Sequence, residues 1–333
     1  RAAELYDTIG VTSTELGLQI QAERTASVAA LSIGLTSTSD LATARSRTDQ
    51  ALARFRAAAE SDKAGGSITP ELRTPLNELL RELERLSTIR SEFDSARLTR
   101  LSIMQNYNEI MDAVFRLYDR LISVPDLGIF QQAVAMQAMG NAREYISRQN
   151  ALISGVVGAV QQTRLTEAEY NAFRDWTATR RYLHRKGQAV LDDELRQMYE
   201  EVFTSPTYQR YVQLEDLFNG RVRANRPLPA EFDDWRPIAD KLSTDLDEVG
   251  LEASRTLADR AGSVAVGITL RIILAGGIGL IAVVASIMLS IRFGRRLSGQ
   301  LATLRDTALN LAEARLPTVV DRIRNGRQVD LDA

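Results

Sequence analysis

The sequence predicts an all-α protein: bundles of helices, then one membrane-crossing helix, then a short helical segment. Apolar residues recur at helical spacing along the chain, and no segment shows the sustained alternation of a strand. The twenty residues Ile272–Ile291 carry no charge, and at ~1.5 Å per residue such a helix is ~30 Å long, enough to cross a bilayer. The chain has no cysteine, so its folded part must be held by packing without disulfides.

The first helix carries an arginine in the middle of an apolar stripe. On a helical wheel Arg24 projects into an arc of ~120°. That arc is formed by Leu16, Ile20, Val28, Leu31 and Leu35. A guanidinium placed there is costly unless it is paired. Two interpretations stay open. One is structural: an ion pair with Glu23 or with an acid on a neighbouring helix, or a stem that reaches water. The other is an anion site, because the planar charged fork of arginine suits oxyanions.

The following helices are predicted from a start signal and two apolar seams. Thr69 followed by Pro70 marks a helix start. The first seam has spacings of four and three and consists of Leu72, Leu76, Leu79, Leu83 and Leu86. The second consists of Leu101, Met104, Met111, Phe115, Tyr118 and Ile122. Seams of this kind indicate helices packed side by side in a bundle.

Turn-forming residues divide the helical part of the chain. Breaks are predicted at Ser61–Ser67, Val124–Pro125, Gln162–Thr166, Ser205–Pro206 and Asn225–Pro229. We take Pro125 as the division between two helical domains, residues 1–124 and 125–264.

A final long helix is predicted to begin near Asp233 or Asp234, with Pro237 in its first turn. Its apolar positions are Ile238, Leu242, Leu246, Val249, Ala253, Leu257 and Val264. No strong breaker separates them from the uncharged run, so one continuous helix is expected to lead into the transmembrane helix, residues 265–292.

Arginines set the predicted orientation of the crossing. Arg292, Arg295 and Arg296 follow the apolar run, and such clusters lie on the cytoplasmic side. Residues 1–264 are therefore predicted to be extracytoplasmic, the crossing helix to lie in the cell membrane, and residues 293–333 to be cytoplasmic.

The cytoplasmic part is predicted to hold two short helices separated by Pro317. The first carries Leu297, Leu301, Leu304, Ala308 and Leu311, and the second carries Val319, Val320 and Ile323. This arrangement resembles a HAMP-like signal relay, cut off midway. The proline usual near the start of the first HAMP helix is absent from Arg295–Leu301.

Composition excludes several functions. The 41 basic and 43 acidic residues give no global field, so nucleic acid is not expected as a partner. A single histidine, His184, and no cysteine argue against a metal centre, and no cofactor is predicted. No phosphate-binding loop, catalytic acid pair or serine elbow is present. The chain begins at Arg1 without a signal sequence and is expected to be a fragment, with any kinase machinery beyond Ala333.

Two helical segments carry a family resemblance. Leu18–Ser27, LQIQAERTAS, resembles the "LQxER-x-x-S" signature of the nitrate- and nitrite-sensing (NIT) domains of bacterial receptors. Ala142–Gly155, AREYISRQNALISG, resembles the corresponding helix of the second half of that domain, in the form common in actinobacterial sensor histidine kinases. Leu165–Arg181 and Arg315–Arg322 resemble the same proteins, so the resemblance covers nearly the whole chain.

The resemblance implies two up-down four-helix bundles with a small anion site supplied by arginines of both. Arg24 matches the first-bundle arginine, whereas Asn150 stands where nitrate-binding members tend to carry arginine. Arg143 and Asn150 share a face ~60° wide, and Arg148 points to the opposite side, where we expect it to be solvated. The expected ligand-binding residues of this helix are therefore Arg143 and Asn150.

Two further residues are weighed in the second half. Arg180 lies on an apolar face with Phe173, Trp176 and Leu183, so it is a candidate ligand, and a cation–π contact with Trp176 explains it equally well. His184 has no acid three or four residues away and is expected at a surface or an interface.

The sequence thus predicts the sensor, transmembrane and relay segment of a bacterial sensor histidine kinase, which binds a small anion such as nitrate or nitrite and works as a homodimer. The downstream partner would be a response regulator. The alternative is a membrane scaffold without an anion ligand, coupled to a small-GTPase complex of the kind found with similar actinobacterial proteins. A chemoreceptor ectodomain is a third possibility.

Overall fold

A computed structural model describes residues 6–61, 68–121, 126–160 and 163–310, which form ten α-helices and no β-strand beyond one isolated bridge. A π-helical turn, Tyr6–Gly10, comes before the first helix, and a 3-10 turn, Ala230–Phe232, comes before the last. The helices are α1 Val11–Ser32, α2 Ser39–Ala59, α3 Pro70–Glu84, α4 Leu86–Asp94, α5 Arg100–Leu121, α6 Leu127–Val157, α7 Glu167–Val190, α8 Asp193–Phe203, α9 Pro206–Arg221 and α10 Trp235–Asn310.

Local sequence explains where most helices begin. The side chain of Asp126 caps α6, and that of Asp192 caps α8. Thr166 and Glu169 form a reciprocal capping box at the start of α7. The predicted start at Pro70 and the predicted breaks at 205–206 and 225–229 are confirmed, and the described part of the break predicted at 162–166, residues 163–166, is not helical. Gly65, Gly66, Val124 and Pro125 lie outside the described residues.

The N-terminal helices pack through the predicted seams. Helix α1 packs against α2, α5 and α6, and α3 packs against α5. The leucines of the first seam are all buried, and Met104 and Met111 of the second are buried with them. The second seam is wider than its prediction, since Ile103, Tyr107 and Ile110 are buried as well.

Helix α6 lies at the centre of the helical part. It contacts α1, α5 and α7, and its residues from Arg148 to Ile153 are all buried, so neighbours enclose its middle on every side. Buried apolar side chains from before and after the α5–α6 connection belong to one core cluster, which includes Leu16, Leu79 and Phe173. The core is therefore shared across the predicted domain boundary at Pro125.

Two glycines let helices approach α6 closely. A Cβ at Gly155 would lie 2.5 Å from Val28 Cγ1 and 3.0 Å from Ser32 Oγ of α1. A Cβ at Gly187 of α7 would lie 2.5 Å from Met139 Sδ. Both contacts are tighter than a methyl group permits, so these helices need glycine at these points.

Helix α10 is 76 residues long and begins one or two residues after the predicted start. Residues up to Gly262 form one compact unit and those from Ser263 a second, so the boundary lies within this helix. Among the residues described, one stretch, Gly277–Leu309, is long and apolar enough to cross a membrane. Its most apolar window has a mean hydropathy of 1.9 and no buried residue.

The relay segment differs from its prediction where it is described. A separate amphipathic helix was expected around Leu297–Leu311, but α10 continues without interruption to Asn310. Residues 291–310 contain Gly294 and Gly299 but no proline, and glycine alone does not end a helix. The predicted break at Pro317 and the short helix at Val319–Ile323 lie outside the described residues.

Candidate functional site

Arg24 is completely buried, as its place in the apolar stripe of α1 predicts. Its Nη1 donates to Asn108 Oδ1 at 2.6 Å and to Glu144 Oε1 at 2.6 Å. Its Nη2 donates to Ser147 Oγ at 2.8 Å and to Glu144 Oε2 at 3.3 Å. The ion-pair partner is thus an acid on α6 of the second half, one of the two kinds of partner left open by the sequence.

Glu23, the other acid considered for Arg24, belongs to a separate pair. Its carboxylate accepts from Arg90 Nε at 2.7 Å and from the Tyr107 hydroxyl at 2.9 Å. Adjacent residues of a helix point about 100° apart, so Glu23 faces α4 and α5 while Arg24 faces α5 and α6.

Glu144 is the anion around which this site is built. It is 1% exposed and accepts two hydrogen bonds from Arg24, one from Arg148 Nε at 2.8 Å and one from Gln21 Nε2 at 2.7 Å. Burial alone would raise the pKa of this carboxyl, but Arg24 and Arg148 outweigh it and hold the pKa below its usual range. Glu144 is therefore ionised at neutral pH.

The prediction that Arg148 is solvated is wrong. Its side chain is buried and pairs with Glu144 on α6 and with Asp112 Oδ1 on α5, the latter at 2.5 Å. The wheel placed it correctly, on the face opposite Arg143. That face meets α5 and α1 instead of water because α6 is enclosed by other helices. We call Gln21, Arg24, Asn108, Glu144, Ser147 and Arg148 the Arg24 cluster.

Arg143 lies at the edge of the Arg24 cluster and connects it to α10. Its Nη1 donates to Gln21 Oε1 at 2.6 Å, and its Nη2 donates to Asp247 Oδ2 at 2.5 Å. Gln21 in turn donates to Glu144. The structure therefore brings Arg24 and Arg143, the predicted arginines of the two halves, to the same polar network.

Asn150 makes the second polar contact between α6 and α10. Its Nδ2 donates to Asp240 Oδ1 at 2.6 Å, and its Oδ1 accepts from Ser154. Asp240 and Asp247 are seven residues apart on α10, two helical turns, so Asn150 and Arg143 fasten the same face of that helix.

Arg180 belongs to a different buried cluster. Its Nε and Nη2 donate to the two oxygens of Glu215 at 2.8 and 2.5 Å, and its guanidinium lies 5.6 Å from the centre of the Tyr211 ring. The cation–π partner is thus Tyr211 on α9, not Trp176. Arg181 Nε and Gln149 Nε2 also donate to Glu215. We call Gln149, Arg180, Arg181, Tyr211 and Glu215 the Arg180 cluster.

His184 was predicted at a surface or an interface, and it lies half-buried against α8 and α9. Its ring is 4.0 Å from that of Phe203, centre to centre, and its Nδ1 is 3.1 Å from the Tyr208 hydroxyl. Burial, with a smaller effect of Arg180, lowers its pKa to about 4. The imidazole is neutral at physiological pH.

Neither glutamate is among the site residues predicted from the sequence. Glu144 stands four residues before Arg148, a spacing that signals an ion pair along a helix, and this signal was available. Glu215 has no such signal, because its partners are 34 and 35 residues away on α7. Asn108 likewise meets Arg24 from a helix 84 residues later in the chain.

The chemistry of the Arg24 cluster suits an anion better than a cation, because guanidinium donors line it. No group of three or more histidine, aspartate or glutamate side chains is placed to bind a cation in the part of the chain that the structure describes. Two guanidinium donors, Arg24 Nε and Arg143 Nε, are buried without a hydrogen-bond partner. Buried donors are rarely left unsatisfied, so these two could each donate to one further hydrogen-bond partner.

Comparison with known proteins identifies the family of the chain. The family model described as "Nitrate and nitrite sensing" (NIT) matches residues 15–258, which is most of the chain. Among solved structures, that of the NasR transcription antiterminator is similar with a TM-score of 0.63. The similarity covers 77% of this chain and 68% of that one at 17% identity, so it concerns the fold. None of the curated proteins compared with the chain matches it.

Proposed function

The chain belongs to the NIT family of nitrate- and nitrite-sensing domains, and from this premise we propose that it is the sensor and membrane-crossing part of a bacterial receptor, with a small-anion site at the Arg24 cluster. The anion is nitrate or nitrite. It binds at Arg24 with Arg143 at the edge of the site, and the parent protein is a sensor histidine kinase acting as a homodimer.

This proposal rests on the buried position of Arg24 between helices of both halves, with its Nε lacking an acceptor. A guanidinium removed from water destabilises a helix core unless anions and acceptors surround it, and its Nε still lacks an acceptor. Small oxyanions match the bidentate fork of arginine. A ligand at this point would touch helices of both halves at once.

The contacts of α6 with α10 suggest how binding is relayed. Arg143 holds Asp247, and Asn150 holds Asp240, so any shift of α6 toward an anion pulls on α10. We propose that α10 carries that displacement to its apolar segment, which crosses the membrane, and that residues 1–264 lie outside the cell. The segment after the crossing would pass the change to a HAMP-like relay and to a kinase that signals through a response regulator.

Calorimetric titration of the full chain in lipid nanodiscs tests the site. Nitrate, nitrite and chloride would be titrated at equal ionic strength into the native chain and into Arg24→Ala. We expect saturable heat from nitrate or nitrite in the native chain and none in Arg24→Ala. Arg180→Ala removes an equally buried arginine from the other cluster and should keep the binding heat. Nitrate or nitrite binding that is the same in Arg24→Ala as in the native chain would show that the anion does not bind at Arg24.

A second candidate function is a membrane scaffold with a ligand-free bundle, coupled to a small-GTPase complex. One observation favours it: the charges around the Arg24 cluster are already balanced. Arg24, Arg143 and Arg148 face Glu144, Asp112 and Asp247. No nitrate or nitrite heat from a folded native chain, together with retention of a GTPase complex by the Arg24→Ala chain in a pull-down, would select the scaffold.

A further inference from the structure

Glu144 stands where an external anion would sit. We propose that its carboxylate is a built-in ligand of Arg24, and that a small planar oxyanion binds by taking Arg24 from it. This inference rests on the proposed function, because it specifies the ligand class and the competitor at that same site. It makes Glu144 the residue that sets both the affinity and the selectivity of the sensor.

The contacts of Glu144 are those of a bound ligand. Four hydrogen bonds from Arg24, Arg148 and Gln21 end on its two oxygens. A carboxylate and a nitrate or nitrite ion are planar, singly charged and present two oxygens to the end of a guanidinium in the same way. Arg24 would therefore hold nitrate much as it holds Glu144.

The displaced carboxylate already has another partner. Arg148 lies one turn further along α6 and donates from Nε to Glu144, so this ion pair can persist when Arg24 turns to the anion. The other acid that Arg148 holds, Asp112, is 47% exposed, so water can replace Arg148 as its partner. Asp247, the partner of Arg143, is 44% exposed and has the same freedom. The exchange thus leaves no buried charge without a partner.

The shape of the carboxylate position defines the ligand class. It fits planar ions with one negative charge and two or three oxygens, namely nitrate, nitrite and formate. Chloride has no oxygen fork to meet the guanidinium. Sulfate and phosphate are tetrahedral, and their second charge would raise the repulsion from Glu144.

The decisive comparison is between Glu144→Gln and Glu215→Gln. The amide keeps the size of the side chain and removes its charge, so Arg24 loses its competitor. Calorimetry on the full chain in nanodiscs should show nitrate binding about tenfold tighter or more in Glu144→Gln than in the native chain. Glu215→Gln, which neutralises an equally buried carboxylate in the Arg180 cluster, should bind nitrate as the native chain does.

A second variant tests the same position by rescue. Glu144→Ala opens a carboxylate-sized space beside two arginines, and its melting temperature should fall by roughly 10 °C. Nitrate or formate at 100 mM should restore at least half of that loss, and chloride at equal ionic strength should not. This readout remains available if Glu144→Gln fails to fold.

The outcomes separate the inference from the proposed function. Nitrate binding in the native chain that is no tighter in Glu144→Gln, with no rescue of Glu144→Ala, overturns the inference and leaves the anion sensor standing. If the native chain shows no nitrate binding and Glu144→Gln binds nitrate, the inference is supported, but the native chain is not a nitrate sensor. The inference is also overturned if nitrate restores the melting temperature of Glu215→Ala as much as that of Glu144→Ala. Nitrate would then fill any space left by a buried carboxylate.

Discussion

The Arg24 and Arg180 clusters are built from the same parts and occupy different places in the fold. Each centres on a glutamate that is almost inaccessible to water, and each glutamate receives hydrogen bonds from two arginines and one glutamine. The Arg180 cluster joins α6, α7 and α9, all in the second half of the chain. The Arg24 cluster joins α1 and α5 of the first half to α6 of the second.

We propose that this difference in position distinguishes a structural ion pair from a ligand-binding site. The fork of Arg180 is engaged on Glu215 through Nε and Nη2 and rests on Tyr211. Arg24 uses Nη1 and Nη2, and its Nε is left over. Gln21 and Arg143 also extend the Arg24 cluster to α10. A change of partner at Arg24 would therefore affect the first-half helices α1 and α5, helix α6, and helix α10.

The largest expected effects come from removing either central arginine. Arg24→Met and Arg180→Met each leave a buried glutamate short of a cation, and each should lower the free energy of unfolding by about 3–5 kcal/mol. Urea unfolding followed by circular dichroism measures this. Equal losses of stability, with anion binding lost only in Arg24→Met, would show that both clusters stabilise the fold and that only the Arg24 cluster binds the anion. A loss below about 1 kcal/mol in Arg24→Met would show that the Arg24–Glu144 pair is not formed in solution.

Acidification should affect the two regions in different pH ranges. His184, beside the Arg180 cluster, has its pKa lowered to about 4, so the unfolded chain binds a proton before the folded chain does. Stability is therefore lost as pH falls from about 6.5 to about 4, by up to roughly 3 kcal/mol. His184→Gln should be less sensitive to pH across that range in thermal melts. An unchanged pH profile in this variant would contradict the buried neutral imidazole.

Glu144 should respond only in stronger acid. Its folded pKa is lowered, so its contribution to stability is full above the unfolded value of about 4.3 and is lost as pH falls through the folded pKa. The stability difference between the native chain and Glu144→Gln should be constant from pH 7 to pH 5 and shrink below about pH 4. A difference that already shrinks between pH 7 and pH 5 would mean that Glu144 is not held by Arg24 and Arg148.

Closing the contact between α1 and α6 should have an intermediate effect. A methyl group at Gly155 meets Val28, which is branched at Cβ and cannot turn aside, so Gly155→Ala should destabilise the chain by about 1–3 kcal/mol. It should also weaken anion binding, because Arg24 and Glu144 sit on the two helices that are pushed apart. In Gly187→Ala, the added methyl group meets Met139 and pushes α7 away from α6. Anion binding should be unchanged in this variant. Equal effects of the two on binding would contradict the proposed site.

The smallest effect on stability is expected from Asp247→Asn. The pair with Arg143 is partly exposed, and burial raises the pKa of Asp247 despite that arginine. The Asp247 carboxylate is 44% exposed, so solvent screens the ion pair and its loss should change the free energy of unfolding by less than about 1 kcal/mol. Nitrate affinity should rise, by less than in Glu144→Gln, because Arg143 is released from α10. Unchanged affinity would exclude Arg143 from the site.

Periodicity predicts the helical elements of this fold well. The starts at Pro70 and Pro206 and the beginning of α10 follow from caps and prolines, whose effects are local. The continuity of α10 past Arg296 was missed, because a change from apolar to amphipathic sequence suggests two helices where the backbone has no reason to stop. Residues on one helix can be placed on its faces, but their partners depend on packing over long sequence separations.

The candidate site shows why the partners of a residue cannot be predicted from its own helix. The burial of Arg24 was predictable from its own helix, but its partner is 120 residues away. The wheel separated Arg148 from Arg143 correctly, yet solvation could not be inferred, since it depends on whether a helix is surrounded by others. Arg180 was recognised as buried for the same reason as Arg24. Its membership of a second cluster depends on Glu215, which nothing in the local sequence singles out.

The most informative experiment is a crystal structure of the chain grown with nitrate. We expect a planar anion on the guanidinium of Arg24, with Glu144 turned to Arg148 and no longer bonded to Arg24. An intact Arg24–Glu144 pair at saturating nitrate, with the anion bound elsewhere or not at all, would contradict it.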